Sequence, residues 1–145
     1  MFKKYKTIQH SDYLTYSIPD TWVTDTDENG TVAVYDKKGT GTLTMSFYSI
    51  DHDPGSLFSY VSTIQRRTEE QGEMEMNVVS LHHISNDGKH TLTSEGKTKD
   101  GWLITLWIIA KQRKFIVATY LYKKKTKEHK AMVDIINSMS LNFPN

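Results

Sequence analysis

Asp25-x-Asp27-x-Asn29-Gly30-x-Val32, with Asp36 at the twelfth position, is the sharpest chemical spacing in this chain. Oxygen ligands at alternate positions, a glycine at the turn and an acid at position twelve are what a calcium-binding EF-hand loop requires. Two features oppose that chemistry. The twelfth residue is Asp, shorter than the usual bidentate Glu, and the flanks read as strands where the motif needs helices. If 31–36 is a strand, Asp36 lies some 20 Å from Gly30 at about 3.3 Å per residue. The sequence therefore predicts a polar hairpin, with Asp and Asn making local turns and Gly30 at positive φ.

The other candidates are weaker. Gly39-Thr40-Gly41 is half of a dinucleotide fingerprint, but a strand follows it and Thr44 stands where a third glycine would be. It reads as a flexible strand connection. His82 and His83 are adjacent on an expected strand and point to opposite faces, so they cannot share a metal. His90 can approach one of them across the Asn86-Asp87-Gly88 turn, yet no carboxylate completes a zinc set. His52 lies between Asp51 and Asp53, and Asp53 is better used as a helix cap. Glu69, Glu70, Glu73 and Glu75 could supply a glycosidase pair but read as solvating charges. No G-x-S-x-G elbow occurs, and with no cysteine there is neither a thiol nucleophile nor a disulfide. Lys123-Lys124-Lys125-Thr126-Lys127 is the one basic cluster, without interleaved aromatic residues to stack on bases.

The elements that would position these residues alternate briskly. Tyr5–Ile8 and Tyr13–Ile18 predict a first hairpin with Leu14, Tyr16 and Ile18 on one face. Pro19 must end that strand, and Trp22 is expected to plug the end of a core. The loop 25–30 leads to a strand over 31–36, and 37–41 turns into a strand over 42–50 with Leu43, Met45 and Phe47 inward. A helix follows, capped by Asp53, opened by Pro54 and stopped at Gly72, with Leu57, Val61, Ile64 and Thr68 as its apolar stripe.

A meander occupies the second half, with strands near 77–85, 90–98, 102–111 and 115–122. Trp102, Ile104, Leu106 and Ile108 line one face of the third strand; Leu103, Trp107 and Ile109 line the other. A strand apolar on both sides must be covered on both sides. The covers are the first helix and a C-terminal one, in which Met132, Ile135, Ile136 and Met139 form the stripe and Thr126 the cap. The expected fold is α+β: an antiparallel sheet of about six to eight strands with a helix packed on each face, an α/β/α sandwich in one domain over 1–145.

Taken together, Ile18-Pro19-Asp20-Thr21-Trp22, the acidic hairpin, Gly41-Thr42-Leu43-Thr44-Met45-Ser46, the four-strand meander and the ending Ile136-Asn137-Ser138-Met139-Ser140-Leu141 resemble the PsbP/Mog-type fold superfamily, in its bacterial branch. That superfamily includes photosystem extrinsic subunits and a eukaryotic Ran-binding protein; similar bacterial domains include chaperones that hold secreted effectors. The resemblance spans nearly the whole chain and carries no functional motif. It implies a binding or assembly role by analogy of fold.

Bulk properties agree with that role. Lys plus Arg number 18 and Asp plus Glu 17, so no net field draws the chain to nucleic acid or anionic membrane. Met1–Lys6 is basic with no apolar run behind it, and the longest apolar run, 102–110, is far short of the ~20 residues of a membrane helix. A cytoplasmic protein is expected, working without cofactor or catalysis as a protein-binding or chaperone-like module. The alternative is a small-ligand binder or enzyme with a pocket between sheet and helix. Tyr13, Tyr35 and Tyr48 are the candidate anchors for a partner, since their opposite-face neighbours read as core; the competing reading packs them under a helix.

Overall fold

The computed structural model describes residues 4–49, 62–63, 66–67, 70–71, 75–76 and 81–142; side chains at 75, 76, 81 and 82 are not described. Eleven strands and one complete helix lie within them: β1 Tyr5–Gln9, β2 Leu14–Pro19, β3 Val23–Thr26, β4 Val32–Tyr35, β5 Thr42–Ser49, β6 Glu75–Met76, β7 Leu81–Ile84, β8 His90–Lys97, β9 Leu103–Lys111, β10 Lys114–Tyr122, α1 Lys127–Asn137 and β11 Ser140–Leu141.

All pairings are antiparallel, but they make two sheets where one was expected. β1-β2-β11 forms a three-stranded sheet; β3-β4-β5-β10-β9-β8-β6, with β7 also on β8, forms an eight-stranded one. Pro19 is the reason for the break. It ends β2, the Trp22 N–H closes a turn on the Pro19 carbonyl at 3.0 Å, and β3 starts in the second sheet. Trp22 is 7% exposed and seals the core at this crossing, as its position predicted.

That core lies between the two sheets and α1. Leu14, Tyr16 and Ile18 of β2 meet Val34, Leu43, Met45, Trp107 and Ile109 of the large sheet and Met132 and Ile135 of α1. Each such fully buried side chain contributes about 1.5–3 kcal/mol before entropy is charged. β9 is buried continuously from Ile104 to Ala110, which agrees with its two-sided apolar pattern. Its far face joins Ile108 and Ala110 to Leu92 and Phe115.

α1 starts as the sequence predicts. The Thr126 hydroxyl accepts the Glu128 N–H at 3.2 Å, and Ala131, Met132, Ile135 and Ile136 are the buried stripe. It does not continue to Leu141. Met139 and Leu141 are buried with the two-residue period of a strand, and Ser140–Leu141 pairs with Thr15–Leu14 of β2. Ser138 makes the junction: its hydroxyl accepts the Ser17 N–H at 2.9 Å and donates to the Ile135 carbonyl at 2.6 Å.

The first predicted helix, from Asp53 and Pro54 through Leu57, Val61, Ile64 and Thr68 to Gly72, has its defining residues outside the described set; Ser62, Thr63, Arg66, Arg67, Glu70 and Gln71 are helical. A helix complete on each face is therefore described on one face only. Two boundaries also differ from expectation. Asp25 and Thr26 belong to β3, paired with Ala33 and Val32, so the acidic loop shrinks to 27–31. In place of one strand over 77–85, β6 and β7 occupy 75–76 and 81–84, with 77–80 outside the described residues.

Candidate functional site

The acidic hairpin uses its carboxylates for its own turns. Asp27 Oδ1 accepts the N–H groups of Asn29 and Thr31, each at 2.9 Å. Asp25 Oδ2 accepts the Tyr35 hydroxyl at 2.7 Å, and Asp36 Oδ1 accepts the Lys38 N–H at 3.1 Å. Val23 pairs with Tyr35, so Asp36 sits beyond the far end of the hairpin from Asn29 and Gly30. Gly30 has φ +84°, as the turn requires.

The histidines disperse. Register sets His90 opposite Ile84, His83 opposite Thr91 and His82 opposite Leu92. His10 stacks on Phe47 at 3.9 Å, and burial lowers its pKa. Among the described residues no three His, Asp or Glu side chains are grouped to hold a metal. Glu70 is exposed; Asp51, His52, Asp53, Glu69 and Glu73 lie outside the described residues.

Gly39-Thr40-Gly41 proves to be a cradle, not a slack connection. The Thr40 and Gly41 N–H groups donate to the two oxygens of Glu128 at 3.0 and 2.9 Å, and the Tyr120 hydroxyl donates to Glu128 Oε1 at 2.7 Å. A Cβ on Gly41 would overlap Tyr120 and come within 2.7 Å of the Leu121 carbonyl oxygen. Beside it His129 Nε2 lies 3.3 Å from the Thr105 hydroxyl and 3.8 Å from Glu95. Burial, then Lys125, lower the His129 pKa, and Glu95 partly opposes them. The spacing of glycines in sequence carries no sign of a carboxylate 87 residues away.

The basic cluster is partly engaged. Lys123 Nζ lies 5.0 Å from the centroid of the Trp102 ring, and Lys125 Nζ lies 3.3 Å from Glu95. Of the three tyrosines, Tyr48 is 47% exposed and stacks on Phe115 at 4.9 Å. Tyr13 and Tyr35 are half-buried, Tyr13 beside the core and Tyr35 on Asp25.

The large sheet opens on the side turned away from α1. Two cavities of about 560 and 360 Å³ run along β5 and β10 and share Thr44. Thr42, Thr44 and Ser46 alternate along the outer face of β5, beside Leu121, Thr119 and Val117 of β10. Trp102 and Asp100 bound one end, Tyr48 and Arg67 the other. Leu121, though on a central strand, is 42% exposed there. Of this groove only Tyr48 was expected to meet a partner; Thr40, Gly41, Thr44 and Trp102 were noted for other reasons, and Thr and Ser at every second position look like any half-solvated strand.

No protein-family model matches the chain, and no curated protein matches it in sequence. Solved structures do match. Cyanobacterial PsbP (CyanoP) from Synechocystis sp. PCC 6803 superposes with a TM-score of 0.65 at 12% identity, over 97% of this chain and 94% of that one. The chain has the PsbP/Mog-type fold. The Ran-binding protein Mog1p of Saccharomyces cerevisiae gives 0.58 at 11% identity, over 97% and 96%. A protein from Bacteroides thetaiotaomicron gives 0.54 at 13% identity, over 99% of this chain and 50% of that one. At these identities the likeness concerns the fold alone. No described helix of this PsbP/Mog-type chain is long and apolar enough to cross a membrane.

Proposed function

We propose that the protein is a non-catalytic binding module in one domain, acting in the cytoplasm, whose groove along β5 and β10 receives an extended segment of a partner protein. The observation that carries this is Leu121, an apolar side chain near the end of a central strand, exposed and lining the larger of the two cavities, which meets the other at Thr44. A row of seven residues from Thr42 to Tyr48 spans about 20 Å, enough for a six-residue extended peptide. The hydroxyls of Thr42, Thr44 and Ser46 suit peptide N–H and C=O groups, and Trp102, Leu121 and Tyr48 suit side chains. Among the described residues charge enters only at the ends, Asp100 at one and Arg67 at the other, which favours a segment neutral in its middle.

The Ran-binding neighbour supports a protein-partner reading by analogy of fold. Hydrogen exchange on a purified binary complex tests the site. Protection confined to 42–48 and 115–121 is the expected result. Protection elsewhere, with those strands unchanged, rejects the groove. A broad esterase, phosphatase and glycosidase panel is expected to show no turnover, and activity lost on changing one buried His or Asp would replace this reading with an enzyme.

A further inference from the structure

A second cleft, of about 520 Å³, opens on the opposite side of the large sheet, between the β7–β8 hairpin and the C-terminal end of α1. Among the described residues its polar side chains, including His83, Lys89, Thr91, Thr93 and Asn137, can all donate hydrogen bonds, and none is a carboxylate. Thr91 and Thr93 are two apart on β8 and share a face, and register places His83 opposite Thr91. Cross-strand partners of this kind are about 5 Å apart, close enough to grip one small group.

The cleft also has charge. Lys89 Nζ donates to the Met139 carbonyl at 2.6 Å, which leaves two of its three protons. Lys111 Nζ donates to the Leu141 carbonyl at 2.8 Å and to Asp87 at 3.2 Å. The two ammonium groups thus cover carbonyls just past the helix end and offset its negative pole, which would otherwise repel an anion. Burial lowers the pKa of Lys89; Asp87 raises it and Lys111 lowers it. Lys89 thus brings a positive charge to the edge of the cleft.

We propose that this cleft binds phosphate, free or as a monoester, with Lys89 as the charge and His83, Thr91, Thr93 and Asn137 as hydrogen-bond donors. Donors that converge from two strands and a helix fit a tetrahedral anion. Among the described residues the cleft holds no Arg fork of the kind that selects a planar carboxylate. The site is separate from the β5–β10 groove and stands or falls apart from it.

The test is amide NMR of the whole chain titrated with inorganic phosphate against chloride at equal ionic strength. Saturable shifts at 83, 91, 93 and 137 are expected. His83→Ala and Thr93→Val should each weaken binding about tenfold or more, and Lys89→Gln should weaken it further. Because Lys89 also holds the Met139 carbonyl, the first two variants suffice if Lys89→Gln unfolds. Phenyl phosphate binding more tightly than inorganic phosphate assigns an ester ligand; equal affinity assigns free phosphate. Absence of saturable shifts, shifts confined to other surfaces, or wild-type affinity in both His83→Ala and Thr93→Val overturns the proposal.

Discussion

The Glu128 carboxylate accepts the Gly41 N–H at 2.9 Å, joining the first turn of α1 to the strand entry 87 residues earlier. The Tyr120 hydroxyl and the Thr40 N–H complete the same carboxylate's shell. Glu128→Ala should cost about 1.5–3 kcal/mol, the range for hydrogen bonds to a charged group. Gly41→Ala should cost at least as much, because the added methyl meets backbone as well as the Tyr120 ring. Urea melts of both variants check this; wild-type midpoints would show the cradle to be incidental.

Trp107 and Trp102 lie five residues apart on opposite faces and should separate in a melt. Trp107 is 2% exposed in the main core, whereas Trp102 is half-buried at the groove mouth under Lys123. Trp107→Ala should cost about 3–5 kcal/mol and Trp102→Ala about half of that or less. Equal losses would place Trp102 deeper than described.

Much of this architecture was legible because it rests on local signals. Pro19 ending a strand, Thr126 capping a helix, Gly30 at positive φ, and the double-sided β9 each follow from a few neighbouring residues. What escaped depends on distant partners. Ser140–Leu141 becomes a strand only because β2 offers an edge, and Gly39–Gly41 becomes a cradle only because Glu128 arrives there. The groove escaped for a related reason: the exposure of Leu121 on a central strand depends on what packs over the sheet, not on its neighbours in sequence.

His129 and His10 are both held below the ordinary histidine value by burial. A folded-state pKa below the unfolded one contributes stability above the unfolded value, about 6.5, and loses it as pH falls through the folded value. Stability should therefore decline from pH 7 towards pH 5, and His129→Gln with His10→Gln should flatten that decline. Denaturation at several pH values and NMR titration of the two rings check it. Ring midpoints at or above 6.5 would contradict it.

Calcium should leave the melting temperature unchanged, since Asp25, Asp27 and Asp36 already serve Tyr35, Asn29, Thr31 and Lys38. Thermal melts with calcium and with EDTA check this; a calcium-dependent rise lost in Asp27→Ala would contradict it.

The groove is tested most directly by the affinity of the purified native partner for Leu121→Asp. Hot-spot losses exceed about 1–2 kcal/mol, so binding should weaken about tenfold or more while the melting temperature stays near that of wild type. His83→Ala, on the opposite face, should bind as wild type does. Unchanged affinity in Leu121→Asp, or a stoichiometric small molecule filling the groove of the natively purified protein, would contradict the account.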